Sequence, residues 1–484
     1  MGRGRVGVVL PAKAPADALV AAGAPAAEIS TQPSRRRPGC ELAPGRQLAE
    51  AAGEAAARAT SETPPLRSTA ATLAPAQRRP QSMSAIKIFK DSEYQFGLDI
   101  ALGSAYRRGA DVGECLATAG RIRNGKAESW FSEWTATARR AEQAAESSRA
   151  AGHAISAREG FLRAAIYYSI ANYQVFASDD PARGLPTWQA SQRCWEAFAE
   201  LVEGSEAVRI PYEETTLPGW LFAPAGAGEP GPTVIMNNGS DGPTAAMWTM
   251  GAGGALERGY RVLVFDGPGQ NAVLHEQKLY FRPDWEAVIG PVVDFLAARP
   301  EVEHDRIAII GVSQAGYWVP RAVAFEPRLA AAVADPGVLD VGTSWREPLP
   351  RTMTKMLEEG DRERFEKWMQ RSERFSRSMR ATLAFRMAPY GIDSYYDVYK
   401  ELERYRLEPD VLAQIRCPML ITDPDSEAFW PGQSRQLYDA LPGPKQLVRF
   451  TAEEGAESHC EPLGSGLREQ RIFDWLDEIL LVGG

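Results

Sequence analysis

The stretch Arg306-Ile-Ala-Ile-Ile-Gly-Val-Ser-Gln-Ala-Gly316 is an apolar run that stops at a serine set among very small residues. Residues 307–310 predict a short, buried parallel strand, and residues 314–324 predict the helix that follows it. Ser313 then lies on the turn between the two elements. A strand that reverses directly into a helix leaves little room for side chains, which accounts for the flanking glycines and alanine. The N–H groups at the start of the helix point toward whatever Ser313 contacts.

Strand and helix patterns alternate on both sides of this stretch. Further strands are predicted at residues 233–237, 261–265, 329–334, 419–422 and 446–450, and helices at residues 244–258, 285–298 and 468–481. Such alternation predicts an α/β fold with a mostly parallel sheet and helices on both faces. Residues 208–212 and 219–224 predict an antiparallel hairpin, joined across residues 216–219, that opens this region.

The chain divides by composition into three parts. Residues 1–83 are rich in Ala, Pro, Gly and Arg and poor in large apolar side chains, so we expect a disordered extension, with Met83 as a candidate start of the protein. An organelle-targeting segment is the alternative, disfavoured by the acidic residues of this extension. Residues 84–206 show helical periodicity and predict a helical domain. Residues 207–484 predict the α/β domain. Its alternation breaks at about residues 338–416, where a helical insertion is placed as a lid.

Composition restricts the class of protein. The 484 residues carry a formal net charge of -9, which argues against a nucleic-acid partner. No apolar run is long enough to span a bilayer. The first apolar stretch, residues 6–10, is cut short by Pro11 and Lys13, so we expect no secretory signal. The 5 cysteines are scattered without CxxC spacing, as is typical of reduced thiols in the cytoplasm. We expect a cytoplasmic protein with a small-molecule substrate, no membrane partner, no cofactor and no metal, and the sequence leaves a homodimer open.

A serine hydroxyl becomes a nucleophile when a base takes its proton, and the chain has only 4 histidines to supply one. His153 lies in the helical part, and His304 precedes the strand that leads into Ser313. His275 lies in a loop after another strand. His459 lies in a polar loop after the last predicted strand, at the sheet edge where open α/β sheets bind ligands. Order and position therefore favour His459 as the base.

A carboxylate normally orients such a histidine, and the loop after the preceding strand offers three of them. Asp423, Asp425 and Glu427 all follow residues 419–422 within a few positions. The residues alone leave the choice among the three open.

Two backbone N–H groups are needed to bind the oxyanion of a tetrahedral intermediate. The amide of Gln314, just after the serine, is one candidate. The second is expected from the loop at residues 238–242, with Ser240 as the donor. A further glycine-containing loop, at residues 266–271, lacks the Lys-Ser/Thr pair of a P-loop and predicts no nucleotide site.

These motifs together resemble a known family. The serine turn is similar to the nucleophile elbow of the α/β-hydrolases. Phe265-Asp-Gly-Pro-Gly-Gln270, Trp285-Glu-Ala-Val-Ile289 and Asp305-Arg-Ile307, behind a helical domain, resemble the FrsA-like branch of that superfamily. The branch contains 2,6-dihydroxypseudooxynicotine hydrolase and the fungal Ayg-type polyketide-shortening hydrolases. The resemblance implies an α/β-hydrolase fold and a Ser-acid-His enzyme.

The resemblance also indicates which residues act and on what. It favours Glu427, four residues before Pro431, as the acid, with Asp425 second. It implies cleavage of an ester or of a carbon–carbon bond beside a carbonyl. Aromatic residues of the insertion and the acid loop predict a pocket for an aromatic or polyketide-like substrate, unless they only pack lid against core: Trp345, Tyr390, Tyr395, Tyr396 and Trp430, with Phe429 beside them.

Three other functions compete with this interpretation. A prolyl-oligopeptidase-like peptidase would share the α/β domain, but residues 86–206 show no propeller repeat. An acyltransferase would use an alcohol in place of water. A catalytically silent hydrolase fold would serve only for binding.

Overall fold

The computed structural model describes residues 87–481, so the predicted disordered extension and Met83 lie outside the described residues. The strands are β1 (Ser205–Tyr212), β2 (Thr215–Phe222), β3 (Gly231–Asn237), β4 (Arg261–Phe265), β5 (Val302–Val312), β6 (Leu329–Asp335), β7 (Met419–Pro424) and β8 (Lys445–Phe450). The α-helices are α1 (Ser92–Gly103), α2 (Val112–Ala119), α3 (Ala127–Ala150), α4 (Ala154–Asn172), α5 (Gly184–Glu200), α6 (Thr244–Met247), α7 (Gly253–Glu257), α8 (Glu286–Ala297), α9 (Ala315–Phe325), α10 (Thr343–Arg346), α11 (Arg351–Glu358), α12 (Arg362–Phe375), α13 (Arg377–Met387), α14 (Tyr395–Glu401), α15 (Pro409–Leu412), α16 (Gln433–Ala440) and α17 (Ser465–Leu480).

One eight-stranded sheet forms the centre of the α/β region, in the order β1-β2-β4-β3-β5-β6-β7-β8. β1 pairs with β2 and β2 pairs with β4 in antiparallel register. From β4 to β8 in this order, all neighbouring strands are parallel. The carboxyl ends of the parallel strands therefore meet at one edge, where ligands bind in open α/β sheets. The predicted fold class, a mostly parallel sheet with helices on both faces, is confirmed.

Alternate side chains of the central strands pack on opposite faces of the sheet. Val234 and Met236 belong to a core that also contains residues of α3, α4, α5 and α17. Ile235 belongs to a second core with residues of α8, α9 and the inserted helices, including the stacked indole rings of Trp285 and Trp318. The N-terminal helices thus cover one face together with the C-terminal helix, and the insertion covers the other.

The hairpin and one helix differ in detail from the sequence prediction. The turn between β1 and β2 lies at residues 213–214, not at residues 216–219, because Glu213 adopts a positive φ of 44° and reverses the chain early. The predicted helix at residues 244–258 is split into α6 and α7 by a π-helical turn. Gly251, with φ 147°, breaks the α-helical geometry there.

The insertion between β6 and β7 consists mainly of helices, from α10 to α15, with one isolated β-bridge between Asp340 and Arg406. It contacts the N-terminal helices at α13, where Phe385 packs against Phe176 with ring centroids 6.1 Å apart. Arg377 Nη2 also donates to the carbonyl of Ser178 at 2.5 Å. The two helical parts therefore meet above the carboxyl edge of the sheet.

Candidate active site

Ser313 lies on a sharp turn between β5 and α9 and has a positive φ of 59°. A non-glycine residue in this region is strained, and such strain recurs where a nucleophilic serine is held at the tip of a strand-to-helix turn. A Cβ atom on Gly316 would lie 1.8 Å from the carbonyl oxygen of Pro336. Residue 316 must therefore be glycine, because the backbone of Pro336 leaves no space for a Cβ atom there. Position 315 is buried but has room for an alanine.

The imidazole of His459 lies between a hydroxyl and a carboxylate. Its Nε2 is 2.9 Å from Ser313 Oγ, and its Nδ1 is 2.7 Å from Glu427 Oε2. With the ring proton on Nδ1, the imidazole donates to Glu427 and accepts from the Ser313 hydroxyl. This arrangement can take the proton of a serine that attacks a carbonyl carbon.

The electrostatics of the pair follow from burial and mutual contact. Burial by itself would raise the pKa of Glu427, but the charge and hydrogen bond of His459 hold that pKa below its usual range. The backbone N–H groups of Phe429 and Trp430 donate to Glu427 Oε1 at 2.8 and 3.1 Å and favour the ionised form. Burial likewise opposes the charged form of His459, yet Glu427 raises the pKa of its imidazole above 6.5. A reaction that needs the neutral ring should therefore speed up as pH rises through that raised pKa.

Of the three candidate carboxylates, the structure brings only Glu427 to the histidine. Asp425, the second choice from sequence, is exposed and forms a salt bridge with Arg449. Asp423 lies in β7, half-buried, and burial raises its pKa. Asp425 points away because its backbone N–H still bonds to Phe450 at the end of β8 and so continues the pairing of β7 with β8. Glu427 lies on the turn that follows this pairing.

The loop that carries His459 is stabilised by buried contacts with α17 and the sheet. The fully buried guanidinium of Arg468 on α17 donates to the carbonyl of Cys460 at 3.1 Å and lies 3.8 Å from the Asp335 carboxylate. Thr422 donates its hydroxyl to the same carboxylate at 2.8 Å. A buried charge with such partners is costly to displace, so the histidine loop is held in one position.

The loop at residues 238–242 passes directly beside the serine. A Cβ on Gly239 would lie 2.8 Å from Ser313 Cβ, so only glycine fits at this point. The Gly239 amide donates to Asn238 Oδ1 at 2.8 Å, which leaves the next amide, that of Ser240, as the candidate donor. Ser240 and Gln314 both line the space in front of Ser313.

The loop at residues 266–271 supports the backbone of residues 238–239. Gln270 Nε2 donates to the carbonyls of Asn238 and Gly239 at 2.7 and 2.9 Å. Asp266 accepts from Thr244 and Asn271. The loop thus fixes the backbone of residues 238–239, a role that its sequence did not suggest.

A cavity of about 340 Å³ opens in front of Ser313 and His459. Its walls come from the sheet edge, the insertion and the N-terminal helices. The helices contribute Phe96, Ile166, Ile170 and Tyr173. The ring of Phe429 packs edge-on against His459, with centroids 4.7 Å apart. A cavity of this size with mainly apolar walls is typical of a site for a small organic molecule.

The aromatic residues predicted to bind substrate divide into two groups. Trp345, Tyr390 and Trp430 line the cavity. Tyr395 and Tyr396 do not, and this part of the prediction is wrong. They begin α14, which faces α12: the Tyr395 hydroxyl bonds to Glu373, and Tyr396 packs edge-on against Phe365.

Several lining residues were missed from the sequence. Phe96 comes from the first helix, far from any motif, and Asp241 and Arg386 are charged residues that face the cavity. Asp241 stands within the candidate oxyanion loop, so its position was a signal that could have been used. Nothing in the sequence near Arg386 separates it from the other arginines of the insertion.

Residues 104–344 match the family described as FrsA-like esterases. Hydrolase LUC6 of Fusarium sp is 34% identical over 416 residues, which cover 81% of this chain and 97% of that protein. The chain belongs to the FrsA-like family of α/β-hydrolases. 20-hydroxy-prefusarin hydrolase FUS2 of Gibberella moniliformis is 31% identical over 421 residues, or 82% of this chain and 98% of that protein.

Solved structures of other proteins have the same fold as this FrsA-like hydrolase. The crystal structure of 2,6-dihydroxy-pseudo-oxynicotine hydrolase superposes with a TM-score of 0.62 at 24% identity, covering 79% of this chain and 96% of the other. AbyA5 gives a TM-score of 0.53 at 17% identity, covering 81% and 99%. Within residues 87–481, no helix is long and apolar enough to cross a membrane, and no cluster of metal-ligating side chains occurs.

Proposed function

We propose that this FrsA-like hydrolase is a serine hydrolase that cleaves an ester, or a carbon–carbon bond beside a carbonyl, in an aromatic or polyketide-like substrate. The observation that carries the proposal is the ring of His459, hydrogen-bonded to both Ser313 Oγ and Glu427. A hydroxyl, an imidazole and a carboxylate in this order form the constellation that activates serine for acyl transfer.

The proposed reaction has two stages. Ser313 Oγ attacks the carbonyl carbon, and His459 takes the hydroxyl proton while Glu427 stabilises the imidazolium. The oxyanion accepts hydrogen bonds from the backbone N–H groups of Ser240 and Gln314. As the intermediate collapses, the bond to the alkoxide or enolate leaving group breaks, and the proton on His459 passes to that group. Water then hydrolyses the acyl-enzyme, with His459 as base.

The substrate class is inferred from the cavity and the relatives together. Phe96, Tyr173, Phe429 and Trp430 present aromatic surface to the cavity, which suits a flat or unsaturated substrate. One relative is a 20-hydroxy-prefusarin hydrolase, and the superposed crystal structure is of a hydrolase of a dihydroxylated pseudo-oxynicotine. Both names describe hydrolysis of small organic molecules, in keeping with a cavity of about 340 Å³.

Product analysis tests the proposal. The enzyme is incubated with p-nitrophenyl esters and with an aryl β-diketone in H₂¹⁸O, with and without an added alcohol, and the products are identified by mass spectrometry. We expect a carboxylic acid that carries one ¹⁸O, and from the diketone a ketone as the second product. An alkyl ester formed in place of the acid would indicate an acyltransferase. No turnover of any ester or diketone would contradict the proposal.

A further inference from the structure

The cavity contains a cation that makes no ion pair with any carboxylate of the described residues. Arg386 on α13 is the only arginine or lysine among the lining residues that the structure describes. In the part of the chain covered by residues 87–481, it forms no salt bridge. Its Nη2 donates to Ser344 Oγ at 3.0 Å, and the guanidinium stacks on the indole of Trp345, 4.5 Å from the ring centroid.

Arg386 differs from the other arginines of the insertion because it is partly buried without an ion pair, whereas the other arginines that lack a salt bridge are exposed. Arg346 and Arg362 each pair with an aspartate, and Arg404 pairs with a glutamate. Burial lowers the pKa of Arg386, since its charge has lost water without gaining a close counter-ion. A guanidinium has five N–H donors, and most of those of Arg386 remain available to a ligand. Stacking on Trp345 holds the fork in one orientation.

Two neutral donors line the same cavity as the guanidinium. The phenol of Tyr390 is 6% exposed and faces the side-chain amide of Gln314. The Gln314 side chain lies close enough to favour the ionised phenol, but within the described residues neither Tyr390 Oη nor Gln314 Nε2 makes a hydrogen bond of good geometry. Buried polar atoms are normally satisfied, so unpaired donors at a cavity wall indicate that a ligand completes them. Gln314 directly follows Ser313, which places this donor group at the reacting end of the cavity.

The acidic groups of the cavity do not take the place of a ligand. Glu93 on α1 and Asp241 line the same space. Asp241 is accessible to the cavity but surrounded by protein, and this burial raises the pKa of its carboxyl despite the opposing charges of His459 and Arg386. Its hydrogen-bond partner is the Ser240 hydroxyl at 3.2 Å. Arg386 therefore interacts with Asp241 through its charge without a direct ion pair, and its donors other than the one bonded to Ser344 remain available.

We infer that Arg386 is a specificity-determining residue that binds an anionic oxygen of the substrate, with the Tyr390 phenol and the side-chain amide of Gln314 as neutral partners. The inference rests on the proposed function and names its substrate class: molecules that carry a carboxylate, or whose cleavage releases an enolate. For a β-dicarbonyl, the electron pair of the broken carbon–carbon bond becomes the enolate whose oxygen Arg386 would hold. The proton from His459 then converts that enolate to a ketone.

The test compares Arg386→Gln with the parent enzyme on three substrates: mono-p-nitrophenyl glutarate, p-nitrophenyl valerate and benzoylacetone. A charge-assisted hydrogen bond in a desolvated site is expected to change kcat/KM by about 10- to 100-fold. If the oxygen is a carboxylate, Arg386→Gln raises KM for the glutarate ester by that factor. If it is an enolate, the variant lowers kcat for benzoylacetone instead. The valerate ester, which is neutral, should change by less than about 3-fold in either case.

Controls separate recognition from packing. Arg386→Lys keeps the charge but not the fork, so it should restore part of the selective loss. Arg380→Gln removes the same charge from an exposed position on the same helix and should leave all three rates unchanged. An equal loss on all three substrates, or no loss on any, would overturn the inference. Hydrolysis of the valerate ester by the parent enzyme, absent in Ser313→Ala, shows independently that the proposed function holds.

Discussion

Ser313→Ala is expected to abolish hydrolysis of activated aryl esters, with a loss in kcat on the order of 10⁶-fold or to the limit of detection. The reason is that the variant removes the atom that forms the acyl-enzyme, and no other hydroxyl lies at hydrogen-bond distance from His459 Nε2 within residues 87–481. Initial rates with p-nitrophenyl valerate, measured across a range of enzyme concentrations, give the loss directly.

The matched control for this prediction is Ser147→Ala, which removes a hydroxyl from the exposed face of α3. It should retain the activity of the parent enzyme. Circular dichroism and thermal unfolding should show that Ser313→Ala is folded, because the substitution removes only a hydroxyl and leaves the backbone of the turn and the packing of its Cβ unchanged. Retention of more than a few per cent of the parent activity by a folded Ser313→Ala would exclude Ser313 as the nucleophile.

Glu427→Gln is expected to lower kcat by about 10⁴-fold, since a neutral amide neither stabilises the imidazolium nor holds the productive tautomer of His459. The contact at stake is the 2.7 Å hydrogen bond between His459 Nδ1 and Glu427 Oε2. Loss of the carboxylate charge also leaves burial as the dominant influence on His459, so the pKa of the imidazole should fall. The rising limb of the pH profile of kcat/KM should then move to lower pH.

Asp425→Asn provides the matched control, because it neutralises the neighbouring carboxylate that pairs with Arg449 on the surface. It should keep kcat within about 2-fold of the parent value, as surface ion pairs contribute little. Both variants are assayed with p-nitrophenyl valerate from pH 5 to pH 9. A larger loss in Asp425→Asn than in Glu427→Gln would reverse the assignment of the acid.

Local signals in the sequence were sufficient for the fold and for the approach of Ser313 and His459. The run before Ser313 could form only a buried strand, and the small residues after it required a tight turn. With 4 histidines in the chain, the position of each relative to the strands left one at the carboxyl edge of the sheet. Glu427 could be favoured over Asp425 only through the family resemblance, because spacing alone does not say where the strand ladder ends.

Contacts between distant segments account for what was missed. Tyr395 and Tyr396 were assigned to the cavity because they are aromatic residues of the insertion, yet the phase of α14 turns them toward α12. Arg386 could not be recognised, since its significance lies in a cavity position without a direct ion pair, which depends on segments far apart in the sequence. The bracing of the Gly239 loop by Gln270 likewise joins residues 31 positions apart. Periodicity and spacing report local structure and carry no information about such pairs.

The most direct test of the account is the site of labelling by a fluorophosphonate probe, mapped by peptide mass spectrometry on the full chain. Only a serine activated by a neighbouring base reacts rapidly with such a probe. We expect a single phosphonylated residue, Ser313, whose labelling is lost in His459→Ala and slowed in Glu427→Gln. Labelling at another residue, or none at Ser313 in the folded parent enzyme, would contradict it.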